Sequence, residues 1–296
     1  MSVALRISLL VMLVSLLAVQ ARSSLHQHLN RSQKKCSRNN NQENRPSQRS
    51  PIALELKCVA ESQLLSSLVT FRVRWNLDRD LPLYTPRFNV APETSPNIPI
   101  IVRHKGGNEC RLMHWGLIPS WAEDPTIGNR MINARAESLT EKPAFKHLVG
   151  SRRCIIPADG FYEWRKAGRR KVPMWVHLRS REPFGLGGLW DVWRKPDGKR
   201  VESFTIITTE PNELIQPIHN RMPVILRPED EEQWLDASRT PFAKAKSLLK
   251  PYPEELLDAH DVSPIVNSAK YDGPECIRPV SHSHDEITKA GQLSLL

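Results

Sequence analysis

From residue 81 onward the chain is a succession of short apolar stretches separated by proline and glycine turns, and this pattern restricts it to a fold rich in strands. The turns Lys105-Gly106-Gly107-Asn108 and Lys195-Pro196-Asp197-Gly198 are each predicted to close a hairpin, since their glycines allow tight turns. The apolar stretches predict strands at 98–103, 111–117, 154–156, 174–178, 186–193 and 203–208, and helices at 229–235 and 241–249. Strands dominate, so the predicted fold class is α+β: a β-rich single domain with an antiparallel sheet or open barrel and flanking helices.

The two ends of the chain differ from this region in composition. Residues 1–21 are typical of a secretory signal, with an apolar run too short for a convincing membrane span and an A-x-A-like ending. Residues 22–75 are mostly polar and are predicted to be a largely disordered extension. A short strand is predicted at its end from the alternation of Val69, Phe71, Val73 and Trp75 with polar residues. The predicted domain is 76–281, and 282–296 is predicted to be a disordered tail.

Charge is distributed unevenly along the chain. The 296 residues have a formal net charge of +10; residues 81–181 carry seventeen Lys or Arg against eight Asp or Glu, whereas residues 182–296 carry thirteen against nineteen. Because Lys and Arg contacts to phosphates supply most non-specific affinity for nucleic acid, the basic region suits a polyanionic partner. The charge alone is equally compatible with a basic surface that binds no polyanion and only keeps the protein soluble.

The cysteines argue against a metal site or a disulfide framework. They are widely spaced and odd in number: Cys36, Cys58, Cys110, Cys154 and Cys276. The sequence contains neither a C-x-x-C pair nor a His/Cys cluster of zinc spacing, so we predict no metal and no cofactor, and at least one free thiol.

Polar residues inside apolar sequence mark the candidate site, first of all between residues 132 and 164. Glu163 stands between Tyr162 and Trp164, where partial desolvation would raise the pKa of its carboxyl toward the range useful for proton transfer. It is therefore the first catalytic candidate. A single glutamate after an aromatic residue is also compatible with an outward position on a strand edge.

Several other residues become candidates only in combination. Taken singly, Asn89 before a proline is typical of a backbone cap, and His219 is typical of a buried histidine. Trp115 and Trp121, taken singly, are typical of core residues. Together, the amide of Asn133, the guanidinium of Arg135, the carboxylate of Glu163 and the imidazole of His219 form a plausible acid/base and oxyanion-or-phosphate constellation. The sequence offers no G-x-S-x-G elbow, H-E-x-x-H, P-loop or G-x-G-x-x-G, and no nucleophile stands beside these residues.

At these clusters the chain resembles the SRAP family (SOS response-associated peptidase). Five motifs carry the resemblance, in family order over roughly residues 84–281: Arg87-Phe88-Asn89-Val90-Ala91-Pro92, Trp115-Gly116-Leu117-Ile118-Pro119-Ser120-Trp121, Ile132-Asn133-Ala134-Arg135-Ala136-Glu137, Ala158-Asp159-Gly160-Phe161-Tyr162-Glu163-Trp164 and Ile218-His219-Asn220-Arg221-Met222-Pro223. The resemblance implies a β-rich α+β domain that recognises abasic sites in single-stranded DNA and traps them as a covalent protein–DNA crosslink, with self-processing peptidase and lyase character.

The resemblance also implies roles for individual residues. Glu163 and His219 would manage the proton transfers, and Asn133 with Arg135 would hold the nucleophile's end and the flanking phosphate. The residues expected at the DNA are Asn89, Trp121, Arg135 and Thr208, whereas the catalytic ones are Glu163, His219 and Asn133. The expected partner is single-stranded DNA with abasic sites, bound by a monomer without a small-molecule cofactor, in the nucleus or another compartment that holds DNA.

One family feature is missing from the sequence. The family's nucleophile is a cysteine directly after the initiator methionine, in a Met-Cys-Gly-Arg start, whereas this chain begins Met1-Ser2-Val3-Ala4. Three explanations compete: residues 1 to about 75 derive from a wrong start or a wrongly joined exon; the chain is a diverged member without crosslinking; or cleavage after Lys34-Lys35 exposes Cys36-Ser37-Arg38. Two other functions stay open, a non-catalytic module for single-stranded DNA and a secreted hydrolase that uses Glu163 and His219, and the second agrees with the signal-like residues 1–21.

Overall fold

The structure is a computed structural model that describes residues 71–77, 81–82, 84–92 and 97–280. The predictions for residues 1–21, for most of 22–75 and for 282–296 fall outside the described residues. Residues 71–74 are helical, so the strand predicted up to Trp75 is wrong there. In the helical turn, Arg74 forms two hydrogen bonds with Glu231 and the Trp75 side chain is buried. An alternation of only four apolar residues is too short to distinguish a strand from such a helical turn.

Besides the helical residues 71–74, the described residues form eleven strands and two short α-helices. The strands are β1 (Ile98–His104), β2 (Gly107–Trp115), β3 (Asn133–Arg135), β4 (Arg153–Ala158), β5 (Phe161–Ala167), β6 (Arg170–Leu178), β7 (Phe184–Arg194), β8 (Arg200–Thr209), β9 (Met222–Pro223), β10 (Ile225–Leu226) and β11 (Leu257–Asp261). The α-helices are α1 (Pro228–Leu235) and α2 (Phe242–Ala245); 3-10 helices lie at Pro125–Arg130, Ala136–Ser138, Lys246–Leu248, Glu254–Leu256, Pro264–Asn267 and Pro274–Ile277. None of the described helices is long and apolar enough to cross a membrane.

Five strands close into a barrel. The order β7-β4-β1-β2-β8 is completed by pairing of β7 with β8, so the predicted α+β, β-rich fold is confirmed and its barrel is closed rather than open. Most pairings are antiparallel, but β2 and β3 each run parallel to β8. A second, antiparallel sheet has the order β11-β6-β5. Closure leaves the barrel strands without free edges, whereas β3 and β5 are end strands of their sheets.

Both predicted hairpins are present, and glycine explains each turn. Between β1 and β2, Lys105 and Gly106 have φ values of 49° and 87°, the consecutive positive values of a two-residue type I′ turn. Between β7 and β8, Gly198 has φ 82°. The chain reverses over two residues in the first hairpin and over five in the second, and a side chain with a Cβ disfavours positive φ.

Apolar side chains fill the barrel and a smaller space behind the second sheet. The barrel core includes Ile100, Met113 and Phe204, which are fully buried. The second core contains Trp175, Val262, Val266 and Cys276, with Phe88 and Tyr162 packed against it. Phe161, Met174 and Val176 of the second sheet pack on the barrel core instead, so this sheet is fixed from both sides.

Candidate functional site

Strand β5 carries Glu163 and is held in place by the two residues beside it. The hydroxyl of Tyr162 donates to the carbonyl of Phe88 at 2.7 Å, and the indole N–H of Trp164 donates to Oδ1 of Asn267 at 2.8 Å. Because side chains alternate along a strand, these two aromatic residues share one face and Glu163 lies on the other. The carboxylate is therefore positioned by contacts that do not use it.

The carboxylate of Glu163 faces the imidazole of His219. Oε1 of Glu163 and Nδ1 of His219 are 3.7 Å apart, and the two side chains are 20% and 45% exposed. Burial raises the pKa of Glu163, and the nearby His219 opposes that shift. The separation is too long for a direct hydrogen bond but short enough for strong electrostatic coupling. The structure thus brings together the two residues predicted to transfer protons.

The backbone of Arg221 surrounds Nδ1 of His219. The amide N–H of Arg221 lies 3.3 Å from Nδ1 and can donate to it, whereas the carbonyl of Arg221, at 3.2 Å, can accept from it. Nδ1 therefore has a partner both as an acceptor and as a protonated donor. An imidazole with partners in both states can take up and release a proton without losing its orientation, which suits acid/base chemistry.

The side chain of Arg221 fastens the His219 loop to the barrel. Its guanidinium donates to both carboxylate oxygens of Glu137, at 2.7 and 3.0 Å, and to the carbonyl of Thr208 at 2.6 Å. These contacts lower the pKa of Glu137, which stays ionised. The sequence analysis assigned no role to Glu137 or Arg221, although both belong to motifs of the family. Their opposite charges could have indicated that the two side chains form an ion pair.

Strand β8 brings the remaining polar motifs together at Thr208. Arg135 on β3 is paired with Thr208 in the parallel register, and Pro223 on β9 is paired with Thr208 from the other side. The side chain of Thr208 is buried, and its carbonyl accepts from Arg221. Thr208 consequently acts here as a junction between two motifs, and its predicted contact with DNA is not favoured by its burial.

Asn133 and Arg135 extend from the edge strand β3 into solvent. Both are exposed, while Ala134 between them is buried. Neither side chain forms a hydrogen bond or an ion pair with any residue of the described ranges. The charge of Arg135 helps to lower the pKa of Glu137, but the hydrogen-bond donors of its guanidinium can bind a phosphate, and the amide of Asn133 can bind a second polar group.

Trp121 is presented on a rigid loop. Its side chain is 54% exposed, so the core position favoured for an isolated tryptophan is wrong here. The amide of Ser120 donates to buried Asp191 at 2.8 Å, and the indole of Trp193 donates to the carbonyl of Ala122 at 2.6 Å. A large aromatic surface exposed to solvent is what base stacking requires. Trp115, in contrast, is half-buried and donates to the carbonyl of Ile132.

Asn89 lies in the interior, which corrects the expectation that its side chain lines a DNA groove. It is 5% exposed, and its amide nitrogen lies 3.0–3.2 Å from the carbonyls of Val266, Ser268 and Tyr271. Asp272 accepts from the backbone amides of Phe88 and Asn89 and pairs with Arg87. These contacts join two segments about 180 residues apart. Asp272 was not identified from the sequence, because nothing near it in the chain identifies its partners.

We expect Asn89→Ala to destabilise the protein without weakening DNA binding at temperatures where it is folded. Loss of the amide leaves buried carbonyls unsatisfied, at a cost of about 1–3 kcal/mol, which lowers the melting temperature by about 3–10 °C. Thermal melts and DNA titrations at 20 °C measure both effects, with the exposed Asn97→Ala as the matched control. A rise in Kd of more than about tenfold with an unchanged melting temperature would restore Asn89 to the DNA surface.

No group of three or more His, Cys, Asp or Glu side chains able to hold a metal exists within the part of the chain that the structure describes. The cysteines in that part are also poor nucleophiles. Burial raises the pKa of the Cys110 thiol to about 12 and that of Cys154 as well, and Cys276 is fully buried. The arrangement can therefore move protons and bind an anion, but its described residues supply no activated thiol.

Comparison with known proteins places this geometry in a family. Residues 35–269 match the sequence model of the family described as SOS response associated peptidase (SRAP). The chain is similar to abasic site processing protein YoqW of Bacillus subtilis (strain 168), with 47% identity over 207 residues, 69% of this chain and 92% of that protein. It is also similar to abasic site processing protein HMCES of Gallus gallus, with 32% identity over 237 residues and 70% of each chain.

A solved structure agrees with the same assignment. The X-ray structure of a protein from Bacteroides thetaiotaomicron matches with a TM-score of 0.60 and 36% identity, over 65% of this chain and 84% of that one. The family match extends over most of this chain, including all five motifs that build the Glu163 and His219 site. The chain therefore belongs to the SRAP family.

Proposed function

We propose that this protein binds single-stranded DNA that carries an abasic site and forms a covalent crosslink with the ring-opened sugar. The observation that carries the proposal is the coupling of Glu163 to His219, because the reaction needs groups that donate and accept protons in turn. The names of the relatives, abasic site processing proteins, supply the substrate class. As a member of this family, the protein would also have peptidase activity toward its own N-terminal segment and lyase character.

The proposed chemistry needs no oxidant or reductant. The α-amine of an N-terminal cysteine adds to the aldehyde carbon of the opened sugar, and loss of water gives an imine. The thiol sulfur then adds to the imine carbon, its proton passes to the nitrogen, and a five-membered thiazolidine ring closes. An α-amine has a pKa near about 8, so a useful fraction is unprotonated at neutral pH. Glu163 and His219 would supply and remove the protons.

The nucleophile would come from outside the described residues. The described thiols are buried or have a raised pKa, whereas the sequence holds Cys36 and Cys58 elsewhere. The family match begins at residue 35, one position before Cys36. We therefore favour Cys36, freed by cleavage before it, as the first cysteine to test. Asn133 would hold the new N-terminus, Arg135 the flanking phosphate and Trp121 an unpaired base.

A crosslinking assay tests the proposal on the full chain. We expect a protein–DNA band that survives boiling in detergent with an oligonucleotide carrying a natural abasic site, and none with a tetrahydrofuran analogue, which has no aldehyde. Peptide mass analysis of the reacted protein should show an N-terminal cysteine joined to the DNA, and Cys36→Ser should remove the band. Binding without any crosslink, or a crosslink at an internal lysine, would overturn the thiazolidine mechanism.

A non-catalytic module for single-stranded DNA is the second candidate. The unpartnered side chains of Asn133 and Arg135 favour it, since they can bind phosphate whether or not a nucleophile is present. In that case equal affinity for intact and abasic DNA is expected.

Either function requires the nucleus or another compartment that contains DNA, and we propose that location for the mature protein, acting as a monomer. Fractionation of cells that express the tagged chain checks it.

A further inference from the structure

Four cations lie close together at the turn of the hairpin between β5 and β6. Lys166, Arg169, Arg170 and Lys171 are all exposed, and only Ala167 and Gly168 separate them. Gly168, with φ 59°, permits the two-residue turn between Ala167 and Arg170, which are paired across the hairpin. The basic hairpin, as we call residues 166–171, is therefore a narrow projection with four positive charges.

The charges of the basic hairpin have no counterions in the described part of the protein. None of its four cations forms an ion pair there, whereas the preceding Arg165 is bound to both carboxylate oxygens of Asp261 at 3.0 and 3.1 Å. Lys166 stands directly opposite Lys171 in the register, and like charges in that position are destabilising. A binding partner that is itself a polyanion would remove this repulsion.

The position of the basic hairpin selects the polyanion. It continues the same strand that carries Glu163, so the backbone of Lys166 lies about 10 Å and the tip about 16 Å along β5 from the backbone of Glu163. The cations thus lie at the distance where DNA on one side of the reacting sugar would pass.

We propose that the basic hairpin binds the phosphate backbone of the DNA that flanks the abasic site. This inference rests on the proposed function and deepens it: the hairpin supplies affinity that does not depend on sequence, and Glu163 acts on the sugar held at the base of the same strand. The two arginines can each bind a phosphate with two hydrogen bonds, and the lysines act as point charges. A segment of DNA long enough to reach the tip is part of the substrate.

A matched pair of variants tests the proposal. The first is Lys166→Gln/Arg169→Gln/Arg170→Gln/Lys171→Gln, and the control removes the same number of charges from the other basic hairpin: Arg194→Gln/Lys195→Gln/Lys199→Gln/Arg200→Gln. All eight residues are exposed. The control hairpin begins eight residues from Thr208 along β8, about 26 Å from the site. Loss of the four cations relieves repulsion, so the first variant should melt no lower than wild type.

Binding of the full chain to abasic single-stranded oligonucleotides is measured as a function of salt. For the basic-hairpin variant we expect Kd to rise by about 10- to 100-fold at low salt and the slope of log K against log[salt] to fall by about 2 to 3. The control should differ from wild type by a much smaller amount. Contacts from the N-terminal extension are common to all three proteins, so they do not affect the comparison.

Oligonucleotides with flanking DNA on one side only locate the contact. Extending the DNA on one side of the abasic site, either 5′ or 3′, should strengthen wild-type binding with each of the first few nucleotides. The same extension should strengthen binding by the basic-hairpin variant less. Equal salt slopes and equal length dependence in the two variants would overturn the proposal. Crosslinking by wild type with such a result would leave the proposed function standing. Wild-type binding without crosslinking would overturn that function but not the role of the basic hairpin, and absence of DNA binding would overturn both.

Discussion

Glu163→Gln is expected to slow crosslink formation by about 10²- to 10⁴-fold, while Kd for abasic single-stranded DNA changes by less than about threefold. The substitution keeps the shape of the side chain and removes only its ability to exchange a proton with the reacting groups near His219. Single-turnover crosslinking at saturating DNA measures the rate, and fluorescence anisotropy with the tetrahydrofuran analogue measures Kd. The exposed Glu182→Gln is the control and should have the wild-type rate. A loss of binding as large as the loss of rate would contradict a catalytic role.

Stability provides an independent check on the same carboxyl group. Burial raises the folded-state pKa of Glu163, so the folded protein binds more protons than the unfolded chain between the ordinary and the raised pKa. The wild type therefore loses stability as the pH rises through that window. The neutral Gln has no such penalty. The melting temperature of the variant minus that of the wild type should therefore be larger at pH 7 than at pH 4, although the variant is less active.

The pairing of Glu163 with His219 also predicts how their substitutions combine. If the two groups act as one proton-transfer unit, His219→Ala should slow crosslinking to a similar degree, and the double variant should be little slower than either single variant. Their 3.7 Å separation makes such coupling the expected result. Multiplicative losses would show that the two side chains serve separate steps.

The sequence allowed prediction of what depends on neighbouring residues. Gly106 and Gly198 marked two hairpins, because positive φ is a local requirement. The environment of Glu163 was predictable for the same reason, since Tyr162 and Trp164 adjoin it in the chain. Strand β5 was missed, because its second half is charged and has no apolar alternation to identify it.

Contacts between distant segments were not predictable in the same way. Asp272 binds the backbone amides of Phe88 and Asn89, and nothing in the local sequence of either segment identifies the other. The Arg221–Glu137 pair spans 84 positions and becomes evident only when β3 and β9 are both found next to β8. The motifs therefore identified the polar segments before the fold showed which of their side chains bind one another. Asn89 binds backbone carbonyls of a distant segment, whereas the side chain of Arg135 is exposed.

Arg135→Glu is expected to raise Kd for single-stranded DNA by about 10- to 100-fold and to reduce the salt slope by about 1, since a phosphate contact is replaced by repulsion. The exposed guanidinium of Arg135 forms no hydrogen bond or ion pair with the described residues, although its charge helps to lower the pKa of Glu137, so its removal breaks no direct contact there. Arg179→Glu, an exposed arginine beyond the end of β6, is the matched control for charge reversal and should bind almost as wild type does. Arg135→Lys keeps the charge without the two-pronged hydrogen bonding and should lie between the two.

The rate at saturating DNA decides what the loss of affinity means. If Arg135 only holds the flanking phosphate, Arg135→Glu should react at nearly the wild-type rate once all protein is bound, the opposite of the result expected for Glu163→Gln. A slow reaction at saturation would show that Arg135 also acts on the reacting sugar, and unchanged Kd and salt slope would remove it from the DNA surface. In the proposed function, binding and chemistry are separable because β3 carries Arg135, whereas β5 and the His219 loop carry Glu163 and His219.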